Sequence, residues 1–129
     1  MLRFLLPALF FLPMPVLAQD VDCANAMAQR DLNICAEQDW QEADVGLNRA
    51  YQETLAKMKA IDADLPPALQ GAETALRTAQ RAWITYRDAH CSASGFRVRG
   101  GSAEPLLIYG CLRQTTIDRT EELLELTEF

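Results

Sequence analysis

The side chains able to do chemistry are few. They are four cysteines (Cys23, Cys35, Cys91 and Cys111), a lone histidine (His90) and the dense block Trp83-Ile84-Thr85-Tyr86-Arg87-Asp88. An even number of cysteines in a short exported chain implies two disulfides. No C-x2-C cluster is present, so a zinc site is not expected. His90 adjoins Cys91, but an oxidised cysteine has no thiolate, so the two are not a catalytic dyad. There is no second histidine for a metal or a proton relay. Ser92 and Ser102 lack the sequence of a nucleophile elbow. The residues therefore point to cross-linking and binding. No catalytic residue, cofactor or metal is expected, and the chain is not read as an enzyme.

Two sets of residues are candidates for recognition. In Arg99-Gly100-Gly101-Ser102, the glycines would expose backbone donors and the serine hydroxyl would enter a partner's cleft. The plainer reading makes Ser102 the N-cap of a helix, with the glycines supplying positive φ. The second set is Asp44, Asn48 and Arg87. Asp44 and Asn48 are four residues apart on one helix face. A buried Arg87 needs a carboxylate, and Asp44 is the expected partner in a polar clasp between helices. The alternatives are a cation held by Asp44 and Asn48, and Arg87 as a surface anchor. Trp83 and Tyr86 are read as core, and Glu121, Glu122, Glu125 and Glu128 as a solvated helix face.

The elements that must position these residues are helical. From Asp31 to about Ile61, Ala43, Leu47, Ala50, Thr54, Met58 and Ile61 recur every three or four residues, widened by Tyr51 and Leu55. Asp31 is the expected N-cap. Pro66-Pro67 ends this helix and opens the next. The second runs from about Pro67 to Cys91, with a seam of Leu69, Ala72, Leu76, Ala79, Trp83 and Tyr86. Near-heptad spacing favours antiparallel packing on the first helix. Gly71 is expected to weaken its opening turn. Residues 92–102 carry no helical period and three glycines, which marks a loop, with a short extended piece at Phe96–Val98. A third helix is expected from about Ala103 to Leu126, with Ile108, Cys111, Leu112, Thr115, Leu123 and Leu126 on its apolar side. The fold class is all-α: a long antiparallel helical hairpin plus a third helix, tied by two disulfides.

Spacing favours Cys23–Cys35, pinning the N-terminal segment, and Cys91–Cys111, closing the glycine-rich loop. Each closed loop contributes about 3 kcal/mol in the chain-entropy picture. A crossed pairing stays open on spacing alone, and a Cys23–Cys91 peptide in a non-reducing digest would reveal it.

The first 18 residues read as an export signal: Arg3, an apolar run from Phe4 to Val16, and Val16-Leu17-Ala18 at its end. Pro7, Pro13 and Pro15 break the run, which is too short for a comfortable membrane span. Cleavage after Ala18 would leave 111 of the 129 residues, expected to form a single domain, residues 19–129. Asp22 before Cys23 argues against lipid attachment. The product is expected free in the periplasm or secreted, without membrane insertion. The net charge of −6 becomes −7 once Arg3 is removed. Such a chain is a poor nucleic-acid binder, and it is steered towards cationic proteins. The plainer reading of the charge is solubility.

Taken together these residues resemble the small exported family of the LprI lysozyme inhibitor N-terminal domain. The resemblance is carried by Cys23, Asn33-Ile34-Cys35-Ala36, Ala43-Asp44, Leu47-Asn48 and Tyr51. It continues through Ala79-Gln80-Arg81-Ala82-Trp83-Ile84-Thr85-Tyr86-Arg87-Asp88, Cys91, Gly100-Gly101-Ser102, Cys111-Leu112, Thr115 or Thr116, and Arg119. It spans nearly all of the chain beyond the signal. It implies a periplasmic or secreted binder whose protein partner is a cationic lysozyme or a related cell-wall hydrolase. The family takes its name from a lipoprotein, and this chain departs from that member in having no lipid-attachment cysteine. The competing expectation is an envelope structural or interaction module without inhibitory activity.

Overall fold

The computed structural model describes residues 20–128. The expected signal segment, residues 1–18, lies outside them. Three helices account for the fold: α1 (Gln29–Asp64), α2 (Ala72–Gly95) and α3 (Glu104–Glu125). Short 3-10 turns, Pro67–Leu69 and Phe96–Val98, occupy the two corners. No strand occurs among the described residues.

The 36 residues of α1 span about 54 Å at 1.5 Å per residue. Its buried positions Leu47, Ala50, Thr54, Leu55 and Met58 follow the apolar stripe. Leu47, Ala50, Leu55 and Met58, with Leu76 of α2 and Leu123 of α3, form the hydrophobic core, flanked by Tyr51, Ile61, Ala72, Trp83 and Leu126. Thr54 is fully buried. Its hydroxyl lies 2.9 Å from the Ala50 carbonyl and 2.8 Å from the Leu123 carbonyl, so α1 and α3 share its proton.

The third helix is the central member of the bundle. It packs more extensively on α1 and on α2 than those two pack on each other. This changes the register of α2. Of the expected seam, Leu69 is 66% and Tyr86 57% exposed, and Ala79 is exposed. The inward row is instead Ala72, Leu76, Gln80, Trp83, Arg87 and Cys91. The row lies against both neighbours: Leu76 packs in the core with α1, and α3 helps satisfy the polar members. Arg119 donates to Gln80 at 3.1 Å, and Arg87 donates to Thr116 at 3.4 Å.

The helix ends also differ from expectation. Asp31 does not cap α1: Ala28 is the N-cap, and Asp31 lies in the first turn, where a carboxylate favours the helix dipole. Pro67 opens a 3-10 turn rather than α2. Gly71 stands just before α2 with φ +150°, a conformation open to glycine, so it does not weaken the helix from inside. The cap of α2 comes from the end of α1. Asp62 accepts the Gly71, Ala72 and Glu73 N–H groups at 2.8, 2.9 and 3.0 Å. Those three bonds hold its carboxyl below the usual range, Glu73's contributing most.

At the second corner α2 runs on to Gly95, and Phe96–Val98 is 3-10 rather than extended. A side chain at Gly95 would meet Ile108, whose Cγ1 would lie 2.7 Å from the added carbon. Glycine therefore lets α2 and α3 approach there. Ser102 is not the cap of α3, since Ala103 occupies that position. The disulfides are Cys23–Cys35 and Cys91–Cys111, the pairing that spacing favours.

Candidate functional site

The α2–α3 corner is held by its own backbone. The Arg99 N–H donates to the Phe96 carbonyl, Gly101 to Val98 and Glu104 to Gly101, at 3.3, 2.8 and 3.1 Å. Gly100 takes φ +77°, which glycine adopts without a Cβ penalty. Glu104, the first residue of α3, reaches back into the corner. Its carboxylate accepts the Gly100 N–H at 2.8 Å and pairs with the Arg99 guanidinium. The Gly100 bond, then Arg99, holds the Glu104 carboxyl below the usual range. Arg99 also stacks on Phe96, 4.7 Å from the ring centre. Asn33 of α1 donates to the Ser102 carbonyl at 2.9 Å, tying the corner to the start of the bundle.

The four residues Arg99, Gly100, Gly101 and Ser102 are all exposed. A cavity of about 470 Å³ lies beside them, lined by Gly100, Gly101, Glu104, Pro105, Ile108 and Tyr109. Tyr109 stacks on Trp40 at 5.7 Å. Burial, then the Glu37 carboxylate, pushes the Tyr109 phenol up, so it stays neutral. The sequence reading missed Glu104 and Phe96. The available signal was an acidic residue opening a helix four positions after Gly100.

The second set meets in the middle of the bundle. Arg87 is 7% exposed. It donates to Asp88 at 2.9 Å, Asp44 at 3.2 Å and Thr116 at 3.4 Å. Asn48 donates to the other Asp44 oxygen at 3.3 Å. The Arg87 guanidinium also lies 5.7 Å from the Trp40 ring centre and 5.0 Å from that of Trp83. Arg119 continues the series on Trp83 at 6.0 Å and pairs with Glu122. So buried a guanidinium is not available as a surface anchor. Trp40 and Thr116 are members of this cluster that the sequence reading did not single out. Trp40 precedes Asp44 by one helical turn, which was the signal for it. Its indole N–H is buried without a hydrogen-bond partner among the described residues.

The other titratable groups do not converge. His90 is exposed and stacks on Tyr86 at 5.3 Å. Cys91 is oxidised. Glu121, Glu122, Glu125 and Glu128 are exposed. Among the described residues no three His, Cys, Asp or Glu side chains gather to hold a metal ion. No described helix is long and apolar enough to cross a membrane. The arrangement offers a stiff exposed corner and a buried cation cluster that locks the helices behind it.

Comparison with known proteins bears on the family and the fold. The family model described as Lysozyme inhibitor LprI matches residues 22–123. Uncharacterized protein R02472 of Rhizobium meliloti (strain 1021) is 52% identical over 110 residues, which is 83% of this chain and 79% of that protein. The crystal structure of a DUF1311 family protein from Pseudomonas putida KT2440 shares the fold, with a TM-score of 0.65 at 24% identity. The match covers 79% of this chain and 95% of that one. The Arg87 cluster and the α2–α3 corner both fall inside the matched residues, and the chain belongs to the LprI lysozyme inhibitor family.

Proposed function

We propose that this protein is an exported, periplasmic or secreted binding protein that inhibits a lysozyme or another cationic cell-wall hydrolase. The observation that carries the reading is the family match over residues 22–123. Two further features support it. Both disulfides are of a kind that persists in oxidising compartments. The net charge of −6 favours encounter with a cationic partner. The family is one of inhibitors rather than enzymes, and the role proposed is binding without turnover.

A non-inhibitory envelope module is the second reading. It rests on Leu124 of α3, which is 39% exposed and offers an apolar contact away from the corner. A turbidity assay of bacterial lysis separates the two. Oxidised protein, freed of residues 1–18 and added in excess, is expected to slow lysis by an animal-type lysozyme. An unchanged rate with every such lysozyme would remove the inhibitor reading and leave the module.

A further inference from the structure

We infer that the contact surface is the α2–α3 corner, led by Phe96, Arg97, Val98 and Arg99, and that it fits a carboxylate-lined cleft on a cationic hydrolase. The inference rests on the proposed inhibitory function and adds to it a face and the chemistry of the feature that face meets.

Charge singles out this corner. From Ala89 to Ala103 the chain carries Arg97 and Arg99 and no Asp or Glu, although the whole carries −6. Both arginines are exposed. Arg99 is pinned by Glu104, whereas no carboxylate lies within ion-pair distance of Arg97 among the described residues. The α2–α3 corner is therefore a basic tip, with no carboxylate of its own between Ala89 and Ala103, on a chain that is acidic as a whole. A lysozyme-type hydrolase presents the reverse pattern, a cationic body around a cleft with two working carboxylates. The bodies attract at long range, and the tip matches the cleft at short range.

Shape and stiffness agree with charge. Phe96 is 61% exposed and Val98 also reaches solvent, so the tip carries an aromatic and arginines, the types that dominate interface energies. The turn bonds, the Glu104 grip, the Asn33 tie and the Cys91–Cys111 disulfide fix its backbone before any partner arrives. A preordered tip loses less entropy on docking. A second surface with two arginines is the groove between α1 and α2 lined by Asn48, Tyr51, Arg77, Gln80, Arg81 and Ile84. It is recessed, and Glu73 already pairs with its Arg77, so it cannot enter a cleft.

The test measures binding and lysis inhibition together for the wild-type chain, Arg97→Glu, Phe96→Ala and the control Lys57→Glu at the far half of α1. Circular dichroism and melting temperature verify the fold of each. Arg97→Glu and Phe96→Ala should each weaken binding and inhibition roughly tenfold or more, while Lys57→Glu stays close to wild type. Chitotriose placed in the lysozyme cleft should compete with the wild-type chain. Folded corner variants that bind and inhibit like wild type would overturn this surface while leaving the inhibitory function standing. Binding indifferent to chitotriose would overturn the cleft as its target. A wild-type chain that neither binds nor inhibits would remove the function and this inference together. Should Phe96→Ala unfold, Arg97→Glu, at an exposed and unpaired site, decides alone.

Discussion

Arg87 is accommodated at 7% exposure because two carboxylates, a threonine hydroxyl and two indole faces replace the water it loses. Its removal should cost more than removal of either carboxylate. Arg87→Ala is expected to destabilise the fold by about 3 kcal/mol. Asp44→Ala should cost about 1 kcal/mol, because Asp44 is partly exposed and Asp88 remains. Urea unfolding of both variants and the double variant measures the coupling. Strict additivity would mean that Asp44 and Arg87 do not interact. The sequence drew attention to Asp44 and Arg87 because a buried arginine demands an acid. It drew none to Trp40, although Trp40 lies one turn before Asp44, because nothing in the letters shows which neighbouring helix brings a guanidinium over its ring.

Helix ends and cross-links set the next scale. Folding lowers the Asp62 pKa through three backbone bonds, so the ionised carboxylate favours the folded state. That contribution is full above the ordinary carboxylate range and is lost as pH falls below about 4. Asp62→Ala should melt below wild type at neutral pH, and the gap should close on acidification. A gap of constant size down to acid pH would contradict the capping role. The Cys91–Cys111 link closes a 20-residue separation, and replacing both cysteines by serine should cost about 3 kcal/mol and speed amide exchange at the corner. Stability and exchange equal to wild type would show that the corner is held without it. The three helices were legible from their stripes. The register of α2 was not, because apolar letters pointed to Ala79 and Tyr86 while Gln80 and Arg87 point inward, made tolerable by Arg119, Asp44 and Thr116. The start of α2 was hidden too, since its cap, Asp62, lies on another helix.

At the scale of the molecule, the all-α class followed from stripe length, and cysteine spacing favoured the two disulfide pairs that the structure shows while leaving a crossed pairing open. The central place of α3 did not, because periodicity marks which face of a helix is buried but not which neighbour buries it. The basic tip was half visible: Arg99 to Ser102 stood out by their glycines, while Phe96 acquires meaning only once the chain turns beneath it. The acidic charge, the basic tip and the family membership support the proposal that the protein binds and inhibits a lysozyme or another cationic cell-wall hydrolase. The most direct measurement is a dose series of oxidised protein against an animal-type lysozyme in a lysis assay, normalised to lysozyme alone at low and high salt. The account predicts a saturable fall in lysis rate that weakens as salt screens the long-range attraction. A lysis rate independent of dose at every salt concentration would contradict it.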